Sequence, residues 1–286
     1  MSALARMVQQ VIQPQSVLEG AGVRLNRSIG TQSLDYLDPF LLFDDFSSKH
    51  RHDYEAGFPL HPHRGIETVT YVLEGEVQHK DTLGNAGSIG AGDLQWMTAG
   101  RGIMHEEMPQ VRPEGIMGFQ LWVNLPARLK MTRPRYQDIR SNHIPEISQK
   151  DGVRIRVIAG TVDGIKGPMT GIAADPTYLD VSIPPHTSFT LPIERGHTLF
   201  AYVFEGAARF QQANRSQQLI SHPHLIVFGD GESLTVKTEF HSVRLILVAG
   251  KPLGEPIARY GPFVMNTQKE IEQTLLELRE GTFVTA

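Results

Sequence analysis

His61-Pro62-His63 and His105-Glu106-Glu107 each set two metal-competent side chains two residues apart. In an extended strand that spacing puts both on one face. If the two strands face each other, His61, His63, His105 and Glu107 meet at one point. Three imidazoles and a carboxylate suit Fe(II), Mn(II), Ni(II), Cu(II) or Zn(II). Ca²⁺ and Mg²⁺ prefer mostly oxygen ligands and are disfavoured. On an octahedral ion, four protein ligands leave two positions, for a substrate oxygen and for dioxygen or water. Binding needs neutral imidazoles and an ionised Glu107, so affinity should fall in acid.

Pro62 has a fixed φ and biases His61 towards extended backbone, which partly orders the first pair. The second pair follows Gly100-Arg101-Gly102, where the glycines permit a tight turn or a close backbone approach. Glu106 should point away from the site. Glu67 shares the parity of His61 and His63 if that strand is continuous, so it stands as a second candidate carboxylate. The remaining histidines have no partner pair. His50 and His52 lie in a polar loop, His79 in a strand, and His186 after two prolines; His222-Pro223-His224 reads as a turn before a strand over 225–228.

These pairs need strands to hold them. Short alternating runs such as Glu67-Thr68-Val69-Thr70-Tyr71-Val72-Leu73 and Val243-Arg244-Leu245-Ile246-Leu247-Val248 are separated by turn signals such as Leu83-Gly84-Asn85 and Gly229-Asp230-Gly231. This pattern predicts an all-β sandwich or barrel. The chain also repeats. Shifted by 131 residues, 60–75 falls on 191–206, matching Arg64 with Arg195, Gly65 with Gly196, Tyr71 with Tyr202 and Gly75 with Gly206. The repeat predicts two β-domains, 1–143 and 144–286. In the same register His61 falls on Pro192, His63 on Glu194, His105 on Val236 and Glu107 on Thr238. The second domain should therefore hold no equivalent metal site.

The basic stretch 126–145, with Arg128, Lys130, Arg133, Arg135 and Arg140, reads as a linker with solvated charges; the sharper alternative is a docking patch for an acidic partner. Thr267 and Glu270 fit a capping box, Ile271, Leu275 and Leu278 form a helical stripe, and Gly281 can close the helix.

The 286 residues carry a formal net charge of −4 and no cysteine. Disulfides, thiolate ligands and cysteine nucleophiles are excluded, and charge gives no support to direct nucleic-acid binding. No signal-peptide pattern or membrane span is evident. A cytoplasmic monomer is expected, with nuclear entry open in a eukaryote.

The set His61-Pro62-His63-Arg64-Gly65, Glu67 through Gly75, Gly92-Asp93-Leu94-Gln95-Trp96-Met97-Thr98-Ala99-Gly100-Arg101-Gly102 and His105-Glu106-Glu107-Met108-Pro109 resembles the pirin family of the cupin superfamily. So do Gly118-Phe119-Gln120-Leu121-Trp122-Val123-Asn124-Leu125-Pro126 and Tyr260-Gly261-Pro262-Phe263-Val264-Met265-Asn266-Thr267. The resemblance implies two antiparallel jelly-roll (cupin) β-barrels, face to face, with a short C-terminal helix and metal in the first barrel only. It implies His61, His63, His105 and Glu107 as ligands, and so selects Glu107 over Glu67. It implies one divalent metal per chain, Fe(II) first, with Mn, Ni, Cu, Co or Zn as alternatives. The implied activity is that of a quercetin 2,3-dioxygenase, which opens a flavonol ring with O₂ and releases carbon monoxide. In that reaction Glu107 would serve as general base as well as ligand if it detaches and its pKa rises towards neutrality. The alternative is a non-enzymatic, metal- or redox-dependent regulator of transcription or of metabolic enzymes, acting through a protein partner.

Overall fold

The structure is a computed structural model that describes residues 4–213 and 216–284. Antiparallel ladders dominate it, and the one described α-helix is Gln268–Glu280. No described helix is long and apolar enough to cross a membrane.

The chain folds into two compact units, and neither is contiguous. Residues 15–141 with 253–286 make one; residues 1–14 with 142–252 make the other. The inner boundary falls close to the expected 143/144 division, but both ends of the chain change sides. Val8–Ile12 pairs antiparallel with His224–Phe228 as an edge strand of the second unit. Gln268–Glu280 packs within the first. The repeat register could not show this, because it covers only the middle of each barrel.

In the first unit, seven strands run in the order Arg135–Ile139, Leu94–Thr98, Ile66–Glu74, Met117–Asn124, Phe40–Asp45, Val23–Ile29, Gln15–Glu19. Four more run Phe58–His63, Ile103–Pro109, Val77–Asp81, Ala86–Ile89. The repeat is visible in the backbone of both units. Ile66–Glu74 and Thr198–Gln211 begin 132 residues apart. Gly65 and Gly196 before them have φ of 79° and 76°. The second unit's interior is filled by apolar side chains, among them Leu191, Ile193, Phe210 and Val236. Val236, at the register position of His105, is part of that core.

Gly65 controls how the first histidine pair meets the rest of the unit. Its φ lies in the left-handed region, and a Cβ there would sit 1.9 Å from the Val264 carbonyl oxygen. Only glycine fits. The backbone therefore breaks after His63, and Ile66–Glu74 joins the other sheet. The strand that would have carried His61, His63 and Glu67 on one face is not continuous.

The basic stretch is not a linker. Arg135–Ile139 adds a strand to the seven-stranded sheet by pairing with Leu94–Thr98. Arg128, Arg133, Arg135 and Arg140 are exposed, but Lys130 is 1% exposed. Its ammonium donates to the Gly65 carbonyl (2.9 Å), Asn124 Oδ1 (2.8 Å) and the Val264 carbonyl (2.8 Å). Burial pushes its pKa down to about 8. Lys130→Met is expected to take this donor from Asn124 Oδ1 and the Val264 carbonyl and to leave the Gly65 carbonyl only a long bond from the Leu125 N–H (3.4 Å), at about 1–3 kcal/mol for each buried acceptor left unmatched. Urea denaturation checks this; an unchanged midpoint would show that the pin contributes nothing.

The C-terminal helix has the expected capping box. Thr267 Oγ1 accepts from the Glu270 N–H, Glu270 accepts from the Thr267 N–H at 2.8 Å, and Gly281 closes the helix with φ of 72°. Ile271 is buried, and Leu275 and Leu278 pack on the cluster of Phe263, Met265 and Phe283. Arg64, the residue after His63, ties this helix to the first unit. Its guanidinium lies 2.6 Å from Glu277, donates to Thr274 Oγ1 at 3.1 Å and to the Arg101 carbonyl, and sits 4.6 Å from the Phe283 ring centroid.

Candidate metal centre

The strand Phe58–His63 pairs antiparallel with Ile103–Pro109, placing His61 directly across from His105 and His63 across from Ile103. An irregularity follows between His105 and Glu107, where Glu107 faces Phe58. The three imidazoles converge: each offers a nitrogen within 4.8 Å of the others. Ring centroids are 4.4 Å apart for His61 and His105, 4.9 Å for His61 and His63, and 5.0 Å for His63 and His105.

The hydrogen bonding of this trio fits a metal. His61 Nδ1 lies 2.9 Å from the Pro59 carbonyl. A carbonyl only accepts, so Nδ1 carries the proton and the Nε2 lone pair is free to ligate. Both ring nitrogens of His105 are buried with no hydrogen-bond partner. A buried polar atom left unpaired costs about 1–3 kcal/mol, and a cation at the point of convergence offsets that cost. Burial drives the pKa of His63 and of His105 well below 6.5, and repulsion within the cluster adds to it. Both imidazoles are thus kept neutral, the form that ligates.

The shift has a consequence for the metal-free protein. Below pH 6.5 the unfolded chain takes up protons that folded His63 and His105 refuse. The folded state then binds fewer protons, so stability falls as pH falls. Metal-free protein should lose stability on going from pH 7.5 to 5.5, and the double variant His63→Leu/His105→Leu should lose less. Equal losses in urea midpoint would contradict the assigned cause.

Glu107 shares the inward face of its strand with His105 but stands apart from the cluster. It is 7% exposed, and Thr70 Oγ1 is 3.0 Å from its Oε1 while Gln120 Nε2 is 3.4 Å from its Oε2. The Thr70 hydroxyl has a second acceptor, Gln120 Oε1, at 2.6 Å. One proton thus serves two acceptors, and rotation of that hydroxyl can release the carboxylate. Glu67 does not reach the site. It accepts from Trp96 Nε1 (3.1 Å) and Thr98 Oγ1 (2.7 Å) on the face of its strand opposite Thr70, and burial raises its pKa.

Sequence reasoning missed several neighbours. Thr70 and Gln120 are buried or half-buried polar residues that pair across adjacent strands, a readable signal once the inward parity is known. Trp122 packs edge-on against His63, with centroids 5.1 Å apart. His79, passed over for lack of a pair, lies opposite Glu107 in the adjacent ladder and is buried. His224 begins its strand after a turn at His222-Pro223, as expected, with Nδ1 2.8 Å from the Ser221 carbonyl.

One other group among the described residues, Asp175, Glu194 and His197, brings a ligand atom from each within 4.8 Å. It lies in the second unit and is not equivalent: it has one imidazole, and both carboxylates are exposed.

A cavity of about 360 Å³ opens beside His61, His63 and Glu107, lined also by Leu25, Phe46, Tyr54, Phe58, Trp122 and Arg259. Its size and largely apolar wall suit one small aromatic molecule.

The fold and this centre define a bicupin: two β-units, one with a three-histidine cluster beside a cavity and one with a filled interior. The chain belongs to the pirin family. The Pirin family model matches residues 22–123, and the model of the pirin C-terminal cupin domain matches residues 178–284. The chain is 46% identical over 266 residues to Pirin of Homo sapiens, covering 92% of this chain and 89% of that one. The crystal structure of a quercetin 2,3-dioxygenase from Acinetobacter baumannii is similar with a TM-score of 0.87 and 34% identity, covering 98% of this chain and 99% of that one. A bacterial pirin from Escherichia coli, solved with nickel(II), shares the fold at 19% identity, with a TM-score of 0.65 and coverage of 85% and 99%.

Proposed function

We propose that the protein is a metal-dependent dioxygenase that opens flavonols such as quercetin. The observation that carries this reading is the convergence of His61, His63 and His105, with buried unpaired nitrogens on His63 and His105, beside an aromatic-lined cavity that His61 and His63 help to line. Its likeness to the Acinetobacter enzyme supports it.

His61, His63 and His105 would hold the metal, with Glu107 as the fourth ligand; iron is the first candidate and Mn, Co, Ni, Cu and Zn the others. The bound metal would supply a Lewis acid that makes a coordinated hydroxyl more acidic. Glu107 accepts the proton of the flavonol 3-hydroxyl once Thr70 turns its own proton to Gln120. Gln120 then holds the carboxyl in place through Oε2. Phe46, Tyr54 and Phe58 flank the planar substrate, and Trp122 buttresses His63. In the overall reaction both atoms of O₂ enter the ring-opened ester, and one ring carbon leaves as carbon monoxide.

The test is quercetin turnover by protein loaded with each of the six metals, with and without O₂, scored as carbon monoxide. No aerobic turnover with any metal would sink the reading. Within it, Glu107→Gln should lower kcat by about 10²–10⁴-fold, the usual worth of a general base. Thr70→Val should lower kcat less while keeping full metal content. A Thr70→Val protein with unaltered kcat would remove the proton switch from the scheme.

A further inference from the structure

The cavity wall carries two guanidinium groups of opposite status. Arg27 is paired: it bonds both oxygens of Asp44 at 2.8 Å and Glu19 at 2.7 Å. Arg259 is not. Its Nε donates to the Gly261 carbonyl at 3.4 Å and one Nη to the Leu41 carbonyl at 3.3 Å, both long. Among the described residues no carboxylate comes within ion-pair distance of it. Three of its five N–H donors have no protein acceptor. Its Cζ lies 5.4 Å from the Trp122 ring centroid, and Trp122 in turn packs on His63. The cation is therefore connected to the histidine cluster through one cation–π contact and one edge-on ring contact. Burial lowers its pKa; Asp35, Asp44 and Glu19 act on it electrostatically in the opposite sense, though none is within ion-pair distance.

A half-buried cation without an ion-pair partner is costly unless something completes it. We propose that Arg259 is the anion-recognition element of this cavity and selects planar aromatic ligands that carry an ionised phenol or carboxyl remote from the metal-binding oxygen. This rests on the reading of the cavity as the substrate site, and it narrows the substrate class from aromatic to anionic aromatic. The planar fork matches a two-oxygen acceptor better than a lysine would.

The test compares 2-naphthoate with the neutral 2-naphthamide as ligands of the metal-loaded protein, by calorimetry. Because the metal itself attracts a carboxylate, the deciding quantity is the change in the naphthoate-to-naphthamide affinity ratio on Arg259→Gln. That ratio should fall by about 10- to 100-fold, the worth of a charge-assisted hydrogen-bond pair. Naphthamide affinity, metal content and melting temperature should stay as in the unmodified protein, and Arg259→Lys should restore part of the ratio. An unchanged ratio in Arg259→Gln overturns the proposal, as does an equal loss for both ligands, which would show a structural role. Quercetin turnover is scored beside it. An Arg259-dependent ratio without turnover sinks the dioxygenase reading and leaves anion recognition standing; turnover with an Arg259-independent ratio does the reverse.

Discussion

Replacing His105 with Ala is expected to strip the metal from the protein. His105 lies opposite His61, and its ring centroid is within 5.0 Å of each of the other two imidazoles. Loss of an outer hydrogen-bond partner of a ligand typically costs 10–100-fold in affinity. Loss of a ligand itself should exceed about 100-fold. Protein purified without added metal should contain about one equivalent per chain by elemental analysis, and the variant almost none. One equivalent retained in His105→Ala would refute the trio as the ligand set. A companion variant, His105→Leu, should move stability the other way in the metal-free protein. It removes two unpaired buried nitrogens and keeps similar volume, so a gain of about 1–3 kcal/mol is expected. Site function and bare stability pull against each other at this position.

The second large effect is expected at Arg64. Arg64→Leu leaves Glu277, Thr274 Oγ1 and the Arg101 carbonyl without their shared donor. Glu277 keeps 24% exposure and can be solvated, so the cost should fall below that of breaking a fully buried pair, at about 2–3 kcal/mol. Chemical denaturation should show a loss of that order. Because Arg64 follows His63 directly, metal affinity should weaken as well. A stability loss under about 1 kcal/mol would mean that the helix is held by its apolar face alone.

The site was legible in the sequence to the extent that it is local. A two-residue spacing within one strand survives any tertiary context, so His61, His63 and His105 could be read before the fold was known. Glu67 could not be judged that way. Its parity depended on strand continuity, and the break at Gly65 is imposed by the carbonyl of Val264, some 200 positions away in the chain. His79 meets Glu107 across a ladder, a pairing that no spacing records. Lys130 sits among exposed arginines and looks like one of them; only acceptors from three separate segments make it a buried pin. The all-β architecture and the repeat followed from alternation and turn chemistry. The exchange of the chain's ends did not, since an edge strand and a docking helix carry no address for the unit they join.

That exchange constrains the order of events during synthesis. The strand Val8–Ile12 pairs with His224–Phe228, which is translated more than 200 residues after it. The histidine-bearing unit, in turn, waits for Gln268–Glu280 before Arg64 finds Glu277. Domains that are contiguous can fold one after the other as they emerge. Here the second unit waits for residue 228 to complete its edge and the first for Glu277, so a nascent protein stalled at residue 252 would present the histidine strands with the helix Gln268–Glu280 still to come.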